Sequence, residues 1–136
     1  MLNSESRQQL EERKKLNSKP AYELEPLEAR IQFNKSKSIF PPQNININSI
    51  EDRKISANDT EIGIRIFTDK EDTIQPLLVN FHGGGWVLGD LDADDSMCRK
   101  LAQLTGFKVI SVDYRLAPEN KFPMPLQDCY KSLIYF

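Results

Sequence analysis

Apolar positions are sparse at the start of the chain and periodic after it. Residues 4–18 are polar and charged, with Leu10 and Leu16 the only large apolar side chains. Ser6 and Gln9 are spaced as a capping box and Glu11 lies four residues before Lys15, so a helix with little to bury is predicted. A second helix opens at Pro26, a residue suited to a first turn, with Leu24, Leu27 and Ile31 as a short apolar stripe and Pro41-Pro42 as its stop. These two helices read either as a solvated arm or as a lid over a site later in the chain. Residues 45–55 predict a strand, Asn58-Asp59 a turn, and residues 61–68 a second strand. There Ile62, Ile64 and Ile66 alternate with Gly63, Arg65 and Phe67. Two such strands about a turn predict an antiparallel pair. A polar loop (69–75) leads to Pro76, which opens the apolar run Leu77, Leu78, Val79.

Further on, Met97, Leu101 and Leu104 predict the buried stripe of a helix capped at its C-terminus by Gly106. Residues 109–112 predict another buried strand, and Pro118, Pro123 and Pro125 stiffen the loop that follows. Leu126, Cys129, Tyr130, Leu133 and Ile134 form an i, i+3, i+4, i+7, i+8 face that needs a sheet to cover. The order is an antiparallel strand pair, then β-α-β-α. It predicts an α/β fold with a mostly parallel sheet.

Composition narrows the function classes. The 136 residues are 39% hydrophobic and 28% charged with a net charge of −2, which fits one soluble globular unit and offers no electrostatic case for nucleic acid. No apolar run approaches the roughly 20 residues of a membrane-spanning helix, and the N-terminus has no signal-peptide pattern. Cys98 and Cys129 are isolated thiols without metal-ligand spacing, expected to be reduced packing residues, and a cytoplasmic setting follows. Asp90, Asp92, Asp94 and Asp95 resemble the start of a calcium loop. That loop needs glycine sixth and glutamate twelfth, where Asp95 and Leu101 stand. No metal is expected, and the aspartates suit the positive end of a helix.

The candidate chemistry lies at residues 77–89, where the apolar run ends at His82 in three consecutive glycines, Gly83, Gly84 and Gly85, followed by Trp86 and Gly89. Glycines without Cβ let several backbone N–H groups approach one point, as an anion or a developing oxyanion requires. An oxyanion loop, a phosphate cradle and a simple strand-to-helix turn compete for this stretch. The dinucleotide fingerprint fails, because the glycine after Gly83 and Gly85 comes one position late, and no Gly-Lys-Ser/Thr follows.

Two blocks, His82-Gly83-Gly84-Gly85-Trp86 with Gly89 and Val112-Asp113-Tyr114-Arg115-Leu116-Ala117-Pro118-Glu119 with Phe122-Pro123, resemble the hormone-sensitive-lipase-like group of α/β-hydrolases, which are carboxylesterases and lipases. The resemblance implies that residues 1–42 are a helical cap or lid segment. Residues 43–136 would then be the N-terminal half of the catalytic domain, truncated before the nucleophile elbow. It implies that Gly83, Gly84 and Gly85 form the oxyanion hole, with His82, Trp86 and Gly89 as loop support and with no cofactor. Asp113, Arg115 and Glu119 are expected to form a polar network bracing the loop. Trp86 is expected either to line an acyl pocket or to pack under the loop.

Ester hydrolysis by this route also needs a Ser-Asp-His triad, with the serine in a G-x-S-x-G elbow. No such elbow occurs in the chain, and His82 is its single histidine. The expected function is that of a truncated acyl-ester hydrolase, inactive alone and completed by a C-terminal half. A non-catalytic α/β binding or partner module is the alternative. By the family's strand order, the strand before His82 becomes an unpaired apolar edge.

Overall fold

The computed structural model of the chain describes residues 2–15, 18–39, 43–57, 60–70 and 74–136. Leu16, the Pro41-Pro42 stop and the Asn58-Asp59 turn lie outside these residues. Among the described residues, β1 (Ser49–Ala57), β2 (Thr60–Thr68), β3 (Leu77–Phe81) and β4 (Lys108–Asp113) form one sheet in the order β1-β2-β4-β3. Helices α1 (Ser4–Lys15) and α2 (Pro26–Ile39) precede it, α3 (Asp95–Thr105) joins β3 to β4, and α4 (Met124–Tyr135) follows.

The expected antiparallel pair is present, with Ser49 opposite Thr68 and Ala57 opposite Thr60. β2 is antiparallel to β4 as well, and β3 with β4 is the parallel pair. The sheet is therefore mixed rather than mostly parallel. A helical crossover fixes only the relative direction of the two strands it joins, and the hairpin strand β2 enters beside β4 in the opposite sense. β1 also begins later than the expected 45–55 strand. The carbonyls of Ile45 and Asn46 accept from Arg99 Nη1 and Gln103 Nε2, so side chains of α3 take the place of a neighbouring strand.

Alternation in the strands supplies cores on both faces of the sheet. Ile62 and Ile64 join Ile55, Ile110, Val112, Tyr114 and Cys129 on one face. Phe67 joins Val109, Cys98 and Ala102 on the other. Four consecutive residues of β4, Val109 to Val112, are buried, as a strand covered on both faces requires. β3 is an edge, as expected, with Leu77 and Phe81 exposed.

The helices keep their predicted places but turn different faces inward. The α1 cap is Asn3, whose Oδ1 accepts the Ser6 N–H at 2.7 Å, rather than Ser6; Ser6 is already inside the helix. In α2, Leu27 and Ile31 are exposed while Ala29 is buried, because Arg30 draws that face toward the sheet's loops. In α3, Leu101 of the expected stripe packs partly buried against the core, but Met97 and Leu104 are exposed, whereas Asp95, Cys98 and Ala102 are buried. The small Cys98 and Ala102 allow close approach to the sheet, and Asp95 is held by Arg65 and Arg99. Gly106 takes the left-handed cap conformation, φ 69°, with its N–H on Ala102 O. In α4, Cys129 alone of the predicted face is buried, together with Pro125, Asp128 and Ser132. Leu126, Tyr130, Leu133 and Ile134 stay exposed.

Candidate functional site

β3 and β4 run in parallel with Phe81 opposite Val112, so the segments that leave their C-terminal ends emerge side by side. His82 and Tyr114 are the first large side chains beyond that register, and their rings stack at 4.2 Å between centroids, 14° from parallel. His82 is 3% exposed. The Tyr114 hydroxyl donates to the His82 carbonyl at 2.5 Å and lies 3.2 Å from Nδ1. Nδ1 is 2.9 Å from the Gly83 carbonyl, a contact that assigns its proton to Nδ1. His82 therefore grips its own loop. Burial pushes the Tyr114 phenol up to about 12, so it remains a neutral donor to that loop at ordinary pH.

The glycines differ in what they permit. Gly84 has φ 134°, and a Cβ there would lie 2.1 Å from the Leu88 carbonyl oxygen. Gly89 has φ 102°, and its Cβ would lie 2.2 Å from His82 Nδ1. Both positions demand glycine by conformation and by space. At Gly83 and Gly85, by contrast, a Cβ would meet nothing within 4 Å, so the loop is open on that side. Trp86 takes a left-handed φ of 64°, unusual for a large residue. Its ring tilts against Tyr114 at 5.2 Å and its carbonyl accepts from Ala117 N–H at 2.8 Å. Trp86 thus packs on the loop's support while 46% exposed.

The loop's internal bonds engage its carbonyls. Gly84 O accepts from the Val87 and Leu88 N–H groups at 3.2 and 2.9 Å, and Gly83 O faces His82 Nδ1. Among the described residues, the N–H groups of Gly83, Gly84 and Gly85 have no acceptor. Adjacent unpaired N–H groups beside open space can receive one negatively charged oxygen.

A second layer holds this loop, and part of it was not visible in the sequence. Arg30 of α2 donates from Nε to Val87 O at 2.9 Å and from Nη2 to Ala117 O at 2.7 Å. Its other contacts are a bidentate pair with Glu119 at 2.8 and 2.7 Å. Lys37, one turn pair further along α2, bonds Asp90. The expected Asp113-Arg115-Glu119 network is not formed as one unit. Arg115 turns to the fully buried Asp128 of α4, which accepts its backbone N–H, Nε and Nη2. Glu119 goes to Arg30, and Asp113 stands beside Gly63. Separate partners on α2 and α4 outcompete a local cluster. The aspartates after Gly89 are engaged with cations and an amide: Asp92 and Asp95 with Arg65, Asp94 with Asn80. Nothing in the sequence marked Arg30, although the acidic Glu119 implied some cationic partner.

Residues 78–136 match the family described as alpha/beta hydrolase fold. The chain is 40% identical over 89 residues to the arylesterase of Saccharolobus solfataricus, covering 65% of this chain and 29% of that protein. It is 35% identical over 113 residues to the ethyl acetate hydrolase of Pseudomonas putida, covering 80% of this chain and 36% of that one. The solved structure of a hyperthermophilic esterase from the archaeon Pyrobaculum calidifontis superposes with a TM-score of 0.90 at 36% identity, over 98% of this chain and 43% of that one. This chain therefore spans well under half the length of the proteins it matches. With an arched glycine loop at the end of β3 and relatives that are esterases, the chain has the α/β-hydrolase fold over this part of its relatives and resembles the hormone-sensitive-lipase-like group.

Proposed function

We propose that this chain supplies the oxyanion loop of a carboxylesterase or lipase acting on small acyl esters, and that it is inactive until a C-terminal half completes the site. In this reading Gly83, Gly84 and Gly85 are the oxyanion donors, and His82, Trp86 and Gly89 hold the loop. Residues 1–42 are the cap segment and residues 43–136 the N-terminal half of the catalytic domain. The observation that carries it is the row of glycine N–H groups without acceptors among the described residues, beside open space. His82 is unsuited to be the base, because it is buried under Tyr114 and bonded to its own loop. The buried thiols Cys98 and Cys129 support a reducing, cytoplasmic setting.

The test compares the 136-residue chain with a chimaera in which it replaces the matching part of the Pyrobaculum calidifontis esterase, using p-nitrophenyl acetate. The chain alone is expected to show no turnover above buffer, and the chimaera to hydrolyse the ester. Gly84→Ala in the chimaera should lower kcat by about 10²–10³-fold, the effect of misplacing one oxyanion donor. Turnover by the chain alone that a serine-directed inhibitor abolishes would overturn its inactivity. A folded chimaera without activity would favour the binding-module reading.

A further inference from the structure

We infer that Arg30 is a positioning residue for the oxyanion loop, closing a ring of hydrogen bonds that locks α2 to the loop and to the segment after β4. The inference rests on the oxyanion reading and adds a device to it. The ring can be followed atom by atom. Arg30 Nη2 donates to the Ala117 carbonyl, and the Ala117 N–H donates to the Trp86 carbonyl. The next peptide carbonyl, that of Val87, accepts from Arg30 Nε. Three chain segments far apart in sequence thereby share one closed circuit.

The circuit reaches the glycines directly. The Val87 N–H, in the same residue whose carbonyl Arg30 holds, donates to Gly84 O, and so does the Leu88 N–H. Moving the Val87 carbonyl therefore tilts the turn that closes on Gly84. Glu119 engages the outer edge of the same guanidinium through both carboxylate oxygens, which leaves Nε and an Nη2 hydrogen aimed at the two carbonyls. The planar fork of arginine supplies this geometry, and lysine has no equivalent. The Arg30 side chain is 24% exposed and the Glu119 side chain 57%, so the inner half of the clamp is the protected one. α2 is thus a strut of the site rather than a free flap over it.

Glycine labelling with ¹⁵N tests this in the 136-residue chain, whose six glycines are Gly63, Gly83, Gly84, Gly85, Gly89 and Gly106. Arg30→Gln should displace the Gly83, Gly84, Gly85 and Gly89 amide signals by more than a linewidth and leave Gly63 and Gly106 in place. Glu119→Gln should move them less, because both carbonyl bonds survive it. Arg30→Lys, read in place of Arg30→Gln if that variant loses all six signals, should still displace the loop set selectively. Loop signals that coincide with wild type in Arg30→Gln overturn the inference. So do six signals lost together in both Arg30 variants, which would make Arg30 a general stabiliser.

In the active chimaera, Arg30→Gln should lower kcat by about 10- to 100-fold with KM unchanged, as misplaced donors would. An active chimaera with unmoved loop signals refutes the positioning role alone. Selective displacement in an inactive chimaera refutes the ester-hydrolase reading alone.

Discussion

The sharpest consequence of the loop geometry is a contrast between two single-methyl substitutions, Gly89→Ala and Gly83→Ala. At Gly89 the new Cβ would lie 2.2 Å from His82 Nδ1, 2.6 Å from its Cε1 and 2.7 Å from Gly83 O. The ring cannot swing aside, since its other face is stacked on Tyr114 at 4.2 Å. The backbone at φ 102° is also one that L-residues rarely adopt. Backbone strain of this kind costs about 1–3 kcal/mol, and overpacking a filled site costs a similar ~1–3 kcal/mol. With partial relaxation, a loss of about 3 kcal/mol is expected, on the order of 10 °C in Tm for a chain of this size. Gly83→Ala meets nothing within 4 Å, so its folding stability should stay within about 0.5 kcal/mol of wild type. Urea denaturation followed by far-UV circular dichroism and by the fluorescence of Trp86, the single tryptophan, measures both. Equal midpoints for Gly89→Ala and wild type would refute the close approach of Gly89 to His82, and with it the argument that His82 is a fixed brace.

Asp128→Ala should be the costliest change outside the loop. It strips a fully buried carboxylate from the Arg115 N–H, Nε and Nη2, a class of loss worth about 3–5 kcal/mol. Because the Arg115 side chain is 30% exposed, the lower end is expected, read as a shift in the urea midpoint. Acid should loosen the Arg30 clamp: hydrogen bonds from Arg30 hold the Glu119 carboxyl down at about 2, below its usual 4.5. A depressed carboxyl stabilises fully above its unfolded value and loses that contribution as pH falls through the folded one. Trp86 fluorescence in wild type should therefore change between about pH 4.5 and 2, and Glu119→Gln should remove that component. A component that survives the substitution would refute the assignment. Burial pushes the Cys98 and Cys129 thiols up to about 11. Neither should react with a disulfide reagent at pH 8 at the rate of a free thiol until urea is added.

How much of this was legible in the sequence depends on whether the determinant is local. The glycine loop could be read because conformation is a local property: positive φ at Gly84, Gly85 and Gly89 is what glycine is selected to supply. The Gly106 cap and the Pro26 helix start were readable for the same reason. Helix faces were not. Periodicity finds an amphipathic helix but not which of two competing stripes meets the sheet, and in α3 and α4 a buried carboxylate decided it. Asp95 pairs with Arg65 and Arg99, and Asp128 with Arg115. Each ion pair turns the helix so that small residues, Cys98 and Ala102 or Cys129 and Ser132, face the strands.

The same logic explains why Arg30 was invisible and why the α4 stripe points outward. Arg30 acts on residues 57 and 87 positions away, and no pattern within α2 separates a clamping arginine from a solvated one. The α4 stripe is apolar, as its spacing predicts, yet Tyr130 is 64% exposed and Ile134 65% exposed. A helix bearing Leu126, Tyr130, Leu133 and Ile134 toward water, beside a sheet whose edge strand β3 leaves Leu77 and Phe81 exposed, presents the kind of surface that soluble proteins bury against further structure. In the proposed reading, a completing C-terminal half has apolar surface to cover at each of these two places. The proposed function thus accounts both for a glycine loop with unpaired N–H groups and for a helix whose apolar face has no cover among the described residues.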